Sequence, residues 1–62
     1  MKLLLDEDNR VLSSFSDEDV INNLPDPRWH VINVSSETVL EGDNIDNQWN
    51  GTRLIYNPKK YN

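Results

Sequence analysis

The dipeptide Asn50-Gly51 constrains the fold of this chain more than any other feature. A two-residue type I′ turn needs a positive φ at both central positions, and Asn followed by Gly adopts it readily. Pairing outward from this turn places Trp49 opposite Thr52 and predicts a hairpin over residues 45–56. One face of this hairpin then carries its large apolar and aromatic side chains apart from Ile55, namely Ile45, Trp49, Leu54 and Tyr56. Such a division at a period of two is typical of a half-buried hairpin.

Earlier in the chain, short apolar runs between turn-forming residues predict further strands. Lys2–Leu5 and Arg10–Phe15 flank the turn sequence "DEDN", and a loop of two or of four residues would fit between them. "WHVINVSS" at 29–36 is rich in β-branched and aromatic residues and predicts the clearest single strand. A brief strand is also expected at Thr38–Leu40.

One short helix is predicted near residues 17–24. Ser16 and Asp19 have the spacing of a capping box, and the acids that follow Ser16 suit the positive end of a helix dipole. Pro25 ends the segment after one or two turns. The fold class is therefore predicted to be mainly β, as a small α+β domain. It would be either an antiparallel β-meander or two packed β-hairpins with this one short helix.

Residues 1–57 are expected to form a single small domain, followed by a basic tail at 58–62. A chain of about 60 residues buries only roughly 60% of the surface that it exposes when unfolded. Cys is absent, so disulfides and thiolate metal sites cannot supply the missing stability. The core is therefore expected to be thin, and a partner subunit is one way to complete it.

Charge is unevenly distributed along the chain, whose formal net charge is −5. Residues 1–46 hold all eleven acids and three bases, a net charge of −8, whereas residues 47–62 hold three bases and no acid, a net charge of +3. Such asymmetry can mark an interaction surface. The acidic part argues against direct nucleic-acid binding, which needs Lys and Arg to replace counterions.

Catalytic and metal-binding patterns are not evident. His30 is the only histidine, has no Cys to activate, and is predicted to lie on a packed face of its strand. A calcium loop beginning at Asp6 would need Gly at its sixth position, where Val11 stands. The acidic runs at 6–8 and 17–19 are expected to be solvated turns and caps. We therefore expect a protein that is not an enzyme and has no cofactor and no metal.

Partner contact is instead predicted for aromatic and basic side chains at the end of the chain, because aromatic residues and Arg are enriched at interface hot spots. The candidate residues are Trp49, Arg53, Tyr56, Lys59, Lys60 and Tyr61.

Three stretches together resemble a known group of proteins: "DEDNRVLS", "LPDPRWHVINV" and "ETVLEGDNIDNQWNGTRLIYNP". The pattern is similar to small open reading frames and carboxy-terminal modules encoded among the tail-fibre and baseplate genes of phages and prophages of Gram-positive bacteria. The last element is "WNGTRLI" at Trp49–Ile55, and in the first turn Asn9 stands where Gly is commoner in the group. The resemblance implies a non-catalytic role in the virion or in tail assembly, and it carries over no binding residues.

Two functions are thus expected from the sequence. The first is a structural or adaptor module of a phage tail or baseplate that binds other tail proteins or itself. The alternative is a small acidic inhibitor of a host nuclease or defence enzyme that mimics nucleic acid. The apolar run after Met1 is too short for a signal peptide or a membrane span, so we expect the cytoplasm of the producing bacterial cell, or the virion, and no membrane partner.

Overall fold

The computed structural model describes residues 1–58, so residues 59–62 of the predicted basic tail lie outside the described part. Five short strands and a single 3₁₀ turn at Asn44–Asp46 make up its regular structure. The mainly β class is confirmed. The strands are β1 (Lys2–Leu5), β2 (Val11–Phe15), β3 (His30–Asn33), β4 (Asn47–Trp49) and β5 (Leu54–Tyr56).

Strand β1 lies in the middle of a three-stranded antiparallel sheet with the order β2-β1-β3. The second sheet is the β4–β5 hairpin. Because β3 pairs with β1 and not with β2, the chain is not a meander. The arrangement is the other predicted one, two packed hairpins, with β3 added to the free side of β1.

The turn between β1 and β2 is a three-residue loop, Glu7–Asn9, rather than a loop of two or four residues. The backbone N–H of Asp6 donates to Arg10 O at 2.9 Å, and Asn9 adopts a left-handed φ of 63°. Asn is tolerated there better than most residues. The Asp6 carboxylate accepts the N–H groups of Asp8 and Arg10, at 2.8 and 2.9 Å. These hydrogen bonds fix the length of the loop at three residues.

The β4–β5 register differs from the predicted one by two residues. Trp49 pairs with Leu54 and not with Thr52, so the loop comprises residues 50–53. The reason is the Asn50 side chain, whose Oδ1 accepts the N–H groups of Thr52 and Arg53 at 2.8 and 2.9 Å. A shift by two residues keeps Trp49 and Leu54 on one face and Gln48 and Ile55 on the other. Ile45 and Asp46 belong to the 3₁₀ turn instead, so the predicted hairpin over residues 45–56 is too long and its predicted pairing is wrong.

The predicted helix near residues 17–24 is wrong, because that segment forms no helix. The capping-box contact is present, with the Ser16 N–H donating to Asp19 Oδ2 at 3.0 Å, but the Asp19 N–H donates to Ser16 O at 3.0 Å and closes only a turn. The chain does not continue as a helix because Asn23 takes a left-handed φ of 57° and Pro25 follows. Local polar contacts therefore determine the backbone conformation of this segment, and its few helically spaced apolar residues do not make it a helix.

Two other expectations about strands also fail. No strand forms at Thr38–Leu40, where the Thr38 N–H instead donates to Ser35 O at 3.0 Å in a turn. His30 is exposed rather than packed, because it is the first residue of the edge strand β3.

The core is small and lies between the two sheets. Leu3, Leu5 and Val11 are its fully buried side chains, all at 0% exposure. Half-buried apolar residues surround them, namely Met1, Ile32, Val34, Leu40, Trp49 and Leu54. The β4–β5 hairpin thus contributes one side of the core through Trp49 and Leu54.

Candidate interaction surface

Arg10 fixes the position of the β4–β5 hairpin relative to the first sheet. This residue is only 8% exposed, and its Nη1 donates to Ile45 O at 3.0 Å and to Asn57 O at 2.7 Å. Beside it, the Trp49 N–H donates to Asn9 O at 2.9 Å. The two sheets are therefore joined by polar bonds as well as by the core.

Asn47 organises the loop that enters this hairpin. It is 3% exposed; its Oδ1 accepts the Glu41 N–H at 3.1 Å, and its Nδ2 donates to Glu41 O at 2.8 Å and to Asp43 O at 3.0 Å. Nδ2 also donates to Asn44 O at 3.4 Å, so one buried amide satisfies four backbone groups of the connection between β3 and β4.

We expect Asn47→Ala to lower the free energy of unfolding by about 2 kcal/mol, because it leaves these backbone groups without partners. Urea unfolding followed by tryptophan fluorescence would measure this loss. Asn44→Ala is the matched control, since Asn44 is exposed and its replacement should cost less than about 0.5 kcal/mol. Equal losses in the two variants would contradict the role given to Asn47.

A groove with a volume of about 390 Å³ opens between the end of β3 and the β4–β5 hairpin. Its apolar lining is formed by Val34, Trp49 and Leu54, which also pack against the core, and by Val39, which is 80% exposed. Polar side chains complete the rim: Asn33, Ser35, Thr38, Thr52 and Arg53. Volumes of roughly 300–1,000 Å³ are usual for ligand sites, so this groove suits a few side chains rather than a whole protein face.

Among residues 1–58, Arg53 is the one charged residue that lines this groove. Within residues 1–58 the other basic side chains are engaged: Lys2 donates to Asp19 O, Arg10 to the two carbonyls above, and Arg28 to Asp26. Within the same part of the chain, the Arg53 guanidinium has no hydrogen bond or ion pair. A cation is therefore available at the rim of an apolar groove.

The predicted partner-contacting residues are only partly brought together. Trp49 and Arg53 line the same groove. Tyr56 lies elsewhere, 50% exposed beside the turn at Gly42, where a Cβ on that glycine would stand 3.2 Å from the tyrosine ring. Lys59, Lys60 and Tyr61 lie outside the described residues. A role of these six residues in partner binding stays a prediction.

A second depression, of about 470 Å³, lies over the start of β1 and the end of β2. Its lining is mostly polar and includes Asp17, which pairs with the ammonium group of Met1 at 2.6 Å. The Met1 ammonium also donates to Val34 O at 3.0 Å. The Met1 ammonium and Asp17 are therefore paired with each other, and Asp19, which also lines the depression, accepts the Ser16 N–H.

Several carboxylates are held by local contacts. Asp6 and Asp19 accept backbone N–H groups, Glu7 accepts the Trp29 indole N–H at 3.0 Å, and Asp26 pairs with Arg28 at 2.8 Å. Asp6 and Glu7 belong to the β1–β2 turn, while Asp19 and Asp26 lie in two other turns, so the four carboxylates do not form a row on one strand.

Hydrogen bonding from Arg28 lowers the pKa of Asp26 below its ordinary value of 3.8, and the same pair raises the pKa of Arg28. A carboxyl with a depressed pKa in the folded state stabilises the fold above its unfolded pKa. That contribution is lost as the pH falls through the folded pKa.

We therefore expect Asp26→Asn to have a lower melting temperature than wild type at pH 5–7. The two melting temperatures should converge below pH 3.8, as Asp26 is protonated. Arg28 is exposed and Asp26 lies half-buried at the surface, where solvent screens the pair, so the difference should be small. Thermal melts from pH 7 to pH 2 would measure it. A difference that stays constant down to pH 2 would contradict the depressed pKa.

Residues 1–58 contain no cluster of three or more His, Cys, Asp or Glu side chains that could hold a metal ion. Within the same range no helix has the length and apolar character needed to cross a bilayer. Comparison with protein-family models, with curated proteins and with solved structures finds no match to this chain.

Proposed function

We propose that this protein is a non-enzymatic structural or adaptor module that acts through protein–protein contacts, and that its setting is a phage tail or baseplate. The observation that supports the contact role best is the groove between β3 and the β4–β5 hairpin. It joins apolar side chains to a cation, Arg53, that has no partner within residues 1–58. The tail or baseplate setting rests on the sequence resemblance alone.

The small core supports the same proposal. Within residues 1–58 the core has three fully buried side chains, while Val39 is 80% exposed beside the half-buried Trp49. A partner that covers the groove would bury Val39 and the rest of the Trp49 side chain, and each fully buried apolar side chain stabilises by roughly 1.5–3 kcal/mol. Association would therefore add burial that a chain of this size cannot supply alone.

The alternative, an acidic inhibitor that mimics nucleic acid, has less support. Mimicry would need carboxylates in rows at a spacing close to that of phosphates. The contacts of Asp6, Asp19 and Asp26 instead hold these groups in separate turns. Their local roles are sufficient to explain their presence.

Light scattering on the purified protein at several concentrations, with thermal melts alongside, tests the proposed function. We expect either an oligomer whose melting temperature rises with concentration, or a monomer that specifically retains a tail-fibre or baseplate protein in a pulldown from phage-producing cells. Val39→Asp is the disrupting variant, and Val20→Asp is its control because Val20 is equally exposed, at 80%, and does not line the groove. A stable monomer that retains no tail protein would refute the proposal.

A further inference from the structure

The outer edge of β3 carries unpaired backbone groups next to the groove. Met1 and Val34 exchange two backbone bonds, Val34 N to Met1 O at 2.9 Å and Met1 N to Val34 O at 3.0 Å. Hydrogen-bonded and non-hydrogen-bonded pairs alternate along an antiparallel ladder. Since Met1 and Val34 form a hydrogen-bonded pair, Asn33 and Val31, one and three residues before Val34, stand in non-hydrogen-bonded pairs with β1. The N–H and C=O groups of Asn33 and Val31 therefore point away from β1.

No other strand of the described chain covers that edge, because β3 is the last strand of its sheet. Among residues 1–58, no backbone group of Val31 or Asn33 has a partner on the outer side. Asn33 also lines the groove, so the free edge and the groove meet at this residue. An extended chain that pairs with the edge would run directly into the groove.

The charge of the groove indicates what such a chain would carry. All eleven acids lie within the described residues 1–58, yet none of them lines the groove, and in that range Arg53 is the one charged lining residue. A carboxylate placed there would find a cation without an internal partner in the described chain. Alternate side chains of the same strand would point toward Val39 and Trp49, since successive residues of a strand face opposite sides.

We propose that the free edge of β3 and the adjoining groove bind an extended segment of a partner protein in which apolar residues alternate along one face and one acidic side chain pairs with Arg53. The segment adds to β3 as a further strand, as in other cases of strand addition to an exposed sheet edge. Backbone bonds to Val31 and Asn33 set its position, the apolar side chains cover Val39 and Trp49, and the carboxylate sets its register. This inference rests on the proposed function and specifies its partner.

Three pools of capped octapeptides test the proposal. Each pool has Thr at every second position and Val, Ile, Leu or Phe at three of the four positions between them. The fourth of these positions, which faces the same side as the apolar residues, carries Asp or Glu, Asn or Gln, or Lys. Binding is followed by the amide and indole resonances of the ¹⁵N-labelled protein. We expect the acidic pool to shift resonances of Asn33, Val34 and Trp49, and to bind about tenfold more tightly than the amide pool, because only a carboxylate forms a charge-assisted hydrogen bond with Arg53.

Matched variants distinguish an effect of the Arg53 charge from an effect of losing the folded structure. Arg53→Gln should remove the preference for the acidic pool, whereas Arg28→Gln removes the same charge outside the groove and should keep it. Arg53 is exposed in a loop, so dispersed resonances will show that its variant is folded. Acidic peptides methylated at alternate backbone nitrogens should bind at least about tenfold more weakly if they add as a strand, because each blocked N–H loses a hydrogen bond.

Several outcomes would overturn the proposal. One is that no pool shifts the groove resonances at millimolar concentration. Another is an acidic preference that persists in Arg53→Gln. A third is groove resonances that shift with protein concentration alone, which would assign the edge to a second copy of this chain. Each of these results leaves the proposed function standing if light scattering or the tail-protein pulldown is positive, so the two failures are distinguishable.

Discussion

Leu5→Ala is expected to lower the free energy of unfolding by about 2–5 kcal/mol, which is a large part of the total. Leu5 is fully buried in the central strand β1 and is paired with Val11 on one side and with His30 on the other. Truncating a buried leucine to alanine costs about 2–5 kcal/mol, the larger values occurring where the site cannot collapse. At roughly 0.05–0.15 kcal/mol per residue, the whole chain is stable by only about 3–9 kcal/mol. One cavity in this core would therefore remove a large part of the total.

Urea unfolding, followed by tryptophan fluorescence and by circular dichroism, would measure the loss. Val20→Ala provides the control, because Val20 is 80% exposed and its truncation should change the free energy of unfolding by less than about 0.5 kcal/mol. A loss below about 1 kcal/mol for Leu5→Ala would mean that the core between the sheets contributes less than its burial indicates.

Arg10→Met is expected to lower the free energy of unfolding by about 2 kcal/mol and to loosen the β4–β5 hairpin more than the three-stranded sheet. Met keeps an apolar side chain of similar length but cannot donate to the carbonyl oxygens of Ile45 and Asn57. A hydrogen bond from a charged group contributes roughly 1.5–3 kcal/mol, and a carbonyl that stays partly buried without a donor adds a penalty. Rehydration of the exposed Asn57 limits the total.

Amide hydrogen exchange would show where the loss falls. Exchange at Trp49 and Ile55 should accelerate more than exchange at Leu3. Arg53→Met is the matched control, since it removes the same group from a side chain that makes no bond within residues 1–58, and it should leave exchange at all three amides nearly unchanged. If amide exchange in Arg10→Met accelerates equally in both sheets, then Arg10 stabilises the whole domain and not only the contact between the β4–β5 hairpin and the three-stranded sheet.

Hairpin positions could be predicted from the sequence because the residues that form a turn lie beside each other. Asp6 and Asn9 mark the first turn, and Asn50 and Gly51 mark the last. The pairing itself could not be predicted, because loop length was decided by side chain to backbone bonds. At Asn50 those bonds reach Thr52 and Arg53 and exclude the shorter loop.

The helix prediction failed for a related reason. Ser16 and Asp19 make a capping contact both at a helix start and in an isolated turn, so their spacing does not distinguish the two. Asn23 and Pro25 interrupted the segment before enough helical bonds could form to offset the cost of nucleation.

Only half of the groove could be anticipated. Trp49 and Arg53 were identified as candidates from residue type and position in the hairpin. Val39 and the end of β3 were missed, because their place beside the hairpin depends on contacts between distant parts of the chain. Arg10 was missed as well. A basic residue directly before the buried Val11 was the available signal, but nothing local indicated that it bonds to residues 35 and 47 positions further along the chain.

The central place of β1 has a consequence for how the chain folds. Its second partner, β3, pairs with it across separations that run from 25 residues at Leu5–His30 to 31 at Lys2–Asn33, and such distant pairings form later than local hairpins. Until β3 arrives, the leucine-rich strand at residues 2–5 presents one open edge to other nascent chains. Exposed apolar edges of this kind are templates for misassembly. Slow docking of β3 would therefore make aggregation, rather than loss of the native state, the first failure of this protein at high concentration.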